Sequence, residues 1–146
     1  MPSRRKSREA ALQVLFSMDM LKDESDALMA RLCEMVGADN DNDLYCNQLI
    51  QGVIAHRAQI DGLINRFSSN WKISRMAGTD RNIIRIAVYE MLQRQEDVPN
   101  KVAIDEAVDI GKKFGTEESG AFVNGILDGI YHYLLADPDA IKDAAS

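Results

Sequence analysis

Four cations stand within the first eight residues, Arg4, Arg5, Lys6 and Arg8, with no acid among them. Spread over about one helical turn, they suit a polyanion: guanidinium forks pair with phosphates and stack on bases, and affinity built on four such contacts falls steeply with salt. The other use of the same residues is a solvated, frayed N-terminus. In the C-terminal half, Lys112 and Lys113 close one predicted helix, and residues 116–125 lead into the next through Glu118 and Ser119. Ammonium groups and the free N–H groups of a helix start converge there, as an anion requires. Phe122 follows in the first turn, either as a stacking face for a base or as a core side chain.

Enzymatic alternatives find less to work with. His56 and His132 are far apart and lack a neighbouring Cys or carboxylate at metal-ligand spacing. Asp105 and Asp109 share one helical face with Glu106 beside them, which reads either as a metal or acid–base cluster or as a solvated acidic face. No Walker loop, dinucleotide fingerprint or nucleophile elbow occurs. Cys33 and Cys46 match no metal spacing and read as small apolar residues of a reducing compartment, without a disulfide. No catalytic, metal or cofactor site is therefore expected.

The charge is unevenly divided. The whole chain of 146 residues has net charge −6 and a pI near 4.9. Outside the first eight residues it holds 13 basic against 23 acidic side chains, a net of −10. A +4 arm on an acidic body attracts a polyanion at one place and a basic protein elsewhere. The cations also begin a helix, the unfavourable end of the macrodipole, which a bound anion would relieve. The longest stretch without a charged residue, 44–56, is too short and too polar to span a membrane. The N-terminus has no secretory pattern, so the cytoplasm is the expected location.

The elements that must position these residues are helical, since apolar residues recur at helical spacing throughout. Ala11, Val14, Leu15, Met18 and Leu21 make a first stripe. Leu28, Leu32, Met35 and Val36 make a second, opened by Ser25 or Asp26 and closed by Gly37. The acidic loop 39–43 ends in an N-cap, and the apolar pattern from Leu44 to Phe67 divides into two helices near His56 and Arg57. A connector containing Trp71 and Ile73 ends at Gly78. Thr79 or Asp80 then caps the most apolar helix, Ile83 to Leu92, expected at the centre. After the turn 96–100 a helix carries Ala103, Ala107, Ile110 and Phe114 up to Gly115. The last begins at 117–119 with Phe122, Val123, Ile126, Leu127, Ile130 and Leu134, and its strip Ala121, Gly125 and Gly129 invites close helix packing. The expectation is an all-α bundle of about seven helices, a single domain over 1–146 with a basic arm 1–8 and a loose tail 137–146.

Three stretches, DRNIIRIAVYE (80–90), DVPNKVAIDEA (97–107) and FGTEESGAFVNGILD (114–128), with the arginine-rich start and EAALQVLF (9–16), resemble the bacterial NusB family. The similarity runs in order along nearly the whole chain and is weakest over 19–42. It implies a seven-helix fold and a transcription antitermination factor. Family members bind boxA-type single-stranded RNA of ribosomal RNA transcripts together with a small-subunit ribosomal protein, NusE. They act with other Nus factors and help RNA polymerase read through terminators. By resemblance, Arg4, Arg5, Lys6 and Arg8 fall on the RNA-binding motif, and Phe122 and Glu118 on the RNA surface, with Lys112, Lys113 and Ser119 around them. Asp80, with Arg81 beside it, falls on the protein-partner contact, and Phe16 on the surface shared by RNA and partner. Two positions depart from the pattern: Ala121 stands where many relatives have Lys, and Lys6 where Arg is common. A homodimer that covers the RNA surface is a further possibility in the family. The same helical domain also precedes a methyltransferase domain in the cytosine methyltransferase RsmB, and no cofactor-binding βαβ unit is present here. A protein-interaction module, or a ribosomal RNA maturation factor, is the alternative reading.

Overall fold

The computed structural model describes residues 3–38, 43–68 and 72–137. Seven α-helices and no strand occur among the described residues: α1 (Arg4–Leu21), α2 (Asp26–Met35), α3 (Leu44–Ala55), α4 (Arg57–Phe67), α5 (Gly78–Gln93), α6 (Asn100–Phe114) and α7 (Ser119–Ala136), with a 3₁₀ turn at Ile73–Arg75. The expected loop residues 39–42, Trp71 and the tail 138–146 lie outside the described residues.

Helix α5 is central, as its all-round apolarity demanded. It packs against α1, α3, α4, α6 and α7, and Ile83, Ile84, Ile86, Ala87, Val88, Met91 and Leu92 are all buried. Local chemistry sets several boundaries. The Ser3 and Ser25 hydroxyls accept from the Lys6 and Leu28 N–H groups at 3.2 Å, and the Asp43 carboxylate accepts from the Cys46 N–H at 3.0 Å. Caps of this kind contribute about 1 kcal/mol each. Gly37 ends the α2 segment at φ +76°, a backbone open to glycine at no steric cost. The break between α3 and α4 falls at His56, as predicted.

The start of α5 differs from expectation. The helix begins at Gly78, and the Ala77 carbonyl accepts from the Arg81 N–H at 2.9 Å, so neither Thr79 nor Asp80 caps it. Close approach of α1 is the reason glycine stands there: a Cβ at Gly78 would lie 2.8 Å from Met20 and 2.9 Å from the Phe16 ring. The apolar stripes also overrun the core. Leu21, Met35, Leu44 and Phe114 are exposed because they lie in the first or last turns of their helices, past the packed neighbours. Helix α2 packs chiefly on α1 and buries only Cys33 fully. On α7, Gly129 meets Phe67, but Ala121 and Gly125 face outward, so most of the small-residue strip carries no helix contact. Cys33 and Cys46 are buried thiols not joined in a disulfide, and burial pushes Cys46 up to about 12. Among the described residues no helix is long and apolar enough to cross a membrane.

Candidate nucleic-acid interface

The cations of α1 do not project as a free arm. The Arg8 side chain is 4% exposed and the Glu90 carboxylate facing it 1%. Arg8 Nε donates to Glu90 Oε1 at 2.9 Å, Nη2 to Oε2 at 2.8 Å and Nη1 to Glu106 Oε1 at 3.0 Å, while the Tyr45 hydroxyl donates to Glu90. Arg8 is thus an interior residue that ties α1 to α5 and α6, a correction to its expected place on the RNA surface. A charge so far from water is tolerated only when paired and hydrogen-bonded on every side. Burial and the bond to Glu90 likewise push the Tyr45 phenol above its usual range.

Arg4 and Arg5 remain at the surface, each held by acids. Arg4 Nη2 donates to Asp97 Oδ2 at 2.9 Å, and its guanidinium carbon stands 4.3 Å from the Tyr45 ring centroid. Arg5 donates to Glu106 from Nε at 3.0 Å and from Nη2, and to Asp109 at 3.0 Å. Lys6 is exposed beside an open groove with Glu9, Gln13 and Val36. The acids of the α5–α6 region therefore relieve the helix-start charge that seemed to call for a bound anion. Glu106 and Asp109 are correspondingly paired with these arginines, while Asp105 and Asp109 stay exposed, so the acidic face is solvated, with Arg5 and Arg8 laid against part of it.

On α6, one turn beyond Asp109, Lys113 Nζ reaches Glu9 of α1 at 3.1 Å. Lys112 lays its stem over Gly120, where a Cβ would sit 3.0 Å from Lys112 Cγ. The two lysines border the start of α7 and both are exposed. Ser119 is buried instead: its hydroxyl accepts from the Thr116 N–H at 2.9 Å and so shapes the α6–α7 turn from inside.

That turn and the start of α5 enclose a cleft of about 260 Å³ lined by Arg75, Met76, Asp80, Thr116, Glu118 and Phe122. Phe122 is half-buried, with one edge on the core and the other on the cleft. Asp80 lies in the first turn of α5, where the macrodipole favours an acid, and its Oδ1 is buried without a hydrogen-bond partner. Phe16, 37% exposed, covers Gly78 beside the same first turn. Arg81 does not share this surface. It is buried and donates to Asp19 at 2.8 Å and to the Met76 and Ile73 carbonyls at 2.8 and 3.2 Å, fastening the 3₁₀ turn to α1. His56 stacks on Tyr89 at 6.1 Å, and His132 is exposed beside the Asp128 carbonyl at 2.8 Å, so both serve as packing and surface residues.

The model of the NusB family matches residues 5–132. The chain belongs to the NusB family. The transcription antitermination protein NusB of Desulforapulum autotrophicum is 49% identical over 132 residues, 89% of this chain and 92% of that protein. T. maritima NusB is 36% identical and superposes with a TM-score of 0.79 over 90% of this chain and 92% of its own. A structure of antitermination factors NusB and NusE in complex with dsRNA is 28% identical with a TM-score of 0.77, covering 89% and 96%. Against this family background, sequence reasoning passed over Tyr45, Arg94 and Asp97, which surround Arg4. The only local signal was the i, i+3 spacing of Arg94 and Asp97; their approach to Arg4 is a tertiary fact.

Proposed function

We propose that this chain is a non-catalytic transcription antitermination factor of the bacterial cytoplasm. It binds boxA-type single-stranded RNA of ribosomal RNA transcripts together with the small-subunit ribosomal protein NusE, and with other Nus factors helps RNA polymerase pass terminators. Residues 1–146 act as a single domain, and the RNA surface comprises Arg4, Arg5, Lys6, Lys112, Lys113, Glu118 and Phe122. Asp80 and Phe16 serve the protein partner, and Phe16 meets the RNA as well. Arg8, Arg81 and Ser119 support these surfaces from inside.

The observation that carries this reading is the shared cleft. Glu118 and Phe122, expected to meet RNA, and Asp80, expected to meet a basic protein, line one depression built from two separate turns. Joint binding of RNA and protein then follows from proximity, and the Asp80 carboxylate on the cleft wall supplies negative charge for a basic side chain. The related NusB, found with NusE and dsRNA in one complex, supports the same pairing.

Fluorescence anisotropy of a labelled boxA-like RNA tests it, with the protein alone, with NusE, and with an Arg4→Ala/Arg5→Ala variant, using a duplex of the same sequence for comparison. Binding is expected to tighten with NusE, weaken with salt and drop about tenfold or more in the variant, since two phosphate contacts are lost. Folded protein that binds no RNA in either the presence or absence of NusE would overturn the reading.

A further inference from the structure

Asp97 stands between two arginines. Arg4 Nη2 and Arg94 Nη2 each donate to Asp97 Oδ2 at 2.9 Å. Both guanidinium groups lie over the Tyr45 ring, Arg4 at 4.3 Å and Arg94 at 5.3 Å from its centroid, and Arg94 Nη1 is steadied by Gln48 Oε1 at 3.0 Å. Two planar forks converging on one oxyanion is the arrangement that guanidinium groups adopt around a phosphate. One carboxylate leaves this pair with a surplus positive charge. Arg5 is the opposite case, a single guanidinium facing Glu106 and Asp109 together.

The contact is also easy to open. The Asp97 side chain is 42% exposed, on the short turn between α5 and α6, and exposed ion pairs contribute little to stability. An open groove runs along residues 92–97 beside it, with room for the rest of a nucleotide.

We propose that Arg4 and Arg94 form a seat for one RNA phosphodiester, which Asp97 occupies in the RNA-free protein and vacates when RNA binds. Arg94 is then an RNA-contacting residue, and Asp97 sets the affinity by competing with the RNA backbone. This rests on the RNA-binding reading above.

The test is a titration of the same single-stranded RNA at several salt concentrations with the full chain, Asp97→Asn, Arg94→Gln, the double variant, Arg5→Ala, and Glu96→Gln as a control for net charge. Circular dichroism confirms that each is folded. Asp97→Asn is expected to bind about three- to tenfold tighter, the worth of two exposed ion pairs. Arg94→Gln should weaken binding and make the slope of log K against log salt shallower by about 0.7, one single-strand phosphate contact. In the Arg94→Gln background the gain from Asp97→Asn should shrink, because Asp97 then holds back Arg4 alone. The proposal is overturned, with RNA binding intact, if the wild type binds RNA and Arg5→Ala weakens it while Asp97→Asn changes nothing. An equal gain from Glu96→Gln would overturn it too, as a plain net-charge effect. If neither the wild type nor Asp97→Asn binds RNA, the proposal falls together with the reading beneath it.

Discussion

The two ends of α1 carry arginine–carboxylate clusters of opposite construction. At the N-terminal end the helix supplies the cations, and acids come from α5, α6 and the turn between them. Near the C-terminal end the helix supplies the acid: Asp19 accepts from Arg81 at 2.8 Å, from Asn82 at 2.9 Å and from Arg85 at 3.3 Å, and Arg85 also pairs with Asp61 at 2.8 Å. The Asp19 cluster is nearly closed to water, with Arg81 and Arg85 side chains 10% and 5% exposed. The N-terminal cluster is graded from Arg8, enclosed, to Arg4, 45% exposed. Chemically similar pairs thus differ in kind. A buried pair cannot exchange partners without leaving a bare charge, whereas an exposed pair trades its carboxylate for another anion at small cost. Structural pairs lie at one end of the helix, and at the other the pairs pass from structural to exchangeable within five residues.

Glu90→Ala should break this contrast most severely. It leaves Arg8 with Glu106 alone and the Tyr45 hydroxyl without its acceptor, at a cost of about 3 kcal/mol, a large share of the 5–15 kcal/mol typical of a domain. Urea denaturation measures it, and a loss below about 1 kcal/mol would show that Arg8 finds water or another acid. Asp19→Asn is the next largest, about 2 kcal/mol, because Arg81 keeps its carbonyl acceptors and Arg85 keeps Asp61.

The same carboxylate governs an acid limb of stability. Burial alone would raise the Asp19 value, but the hydrogen bonds from Asn82 and Arg81 and the charges of Arg81 and Arg85 hold it below the usual carboxylate range. Its stabilisation is therefore complete above about pH 4, the unfolded value, and is lost as pH falls through the lower folded value. Thermal melts between pH 7 and 3 should show a flatter acid limb in Asp19→Asn than in the wild type. Smallest of all is Asp97→Asn, expected to leave the urea midpoint close to that of the wild type, as an exposed pair should. A larger loss by urea denaturation would place Asp97 with the structural pairs and erase the difference between the two ends.

Much of the bundle was legible beforehand because helical periodicity, caps and breakers act within a few residues. The N-caps Ser25 and Asp43, the break at His56 and the burial of Ile83 to Leu92 all follow from local pattern. Position in the chain left Phe122 open between a stacking face and a core residue, and only the packing shows it half-buried at the cleft. The exposed ends of the stripes, Leu21 and Met35, were not legible, because periodicity marks a helix face without telling where its packing partner stops.

The sequence by itself determined the helices, their order, the central place of α5 and the family. Only the tertiary structure decided which cations face outward. Arg4 and Asp97 are 93 positions apart, Arg5 and Glu106 101, and Arg8 and Glu90 82. Helix formation depends on neighbours within a turn or two, whereas the partner of a charge depends on how separate helices pack. Four adjacent basic residues that look equivalent in the chain therefore become one buried tie, two paired surface guanidinium groups and one exposed lysine.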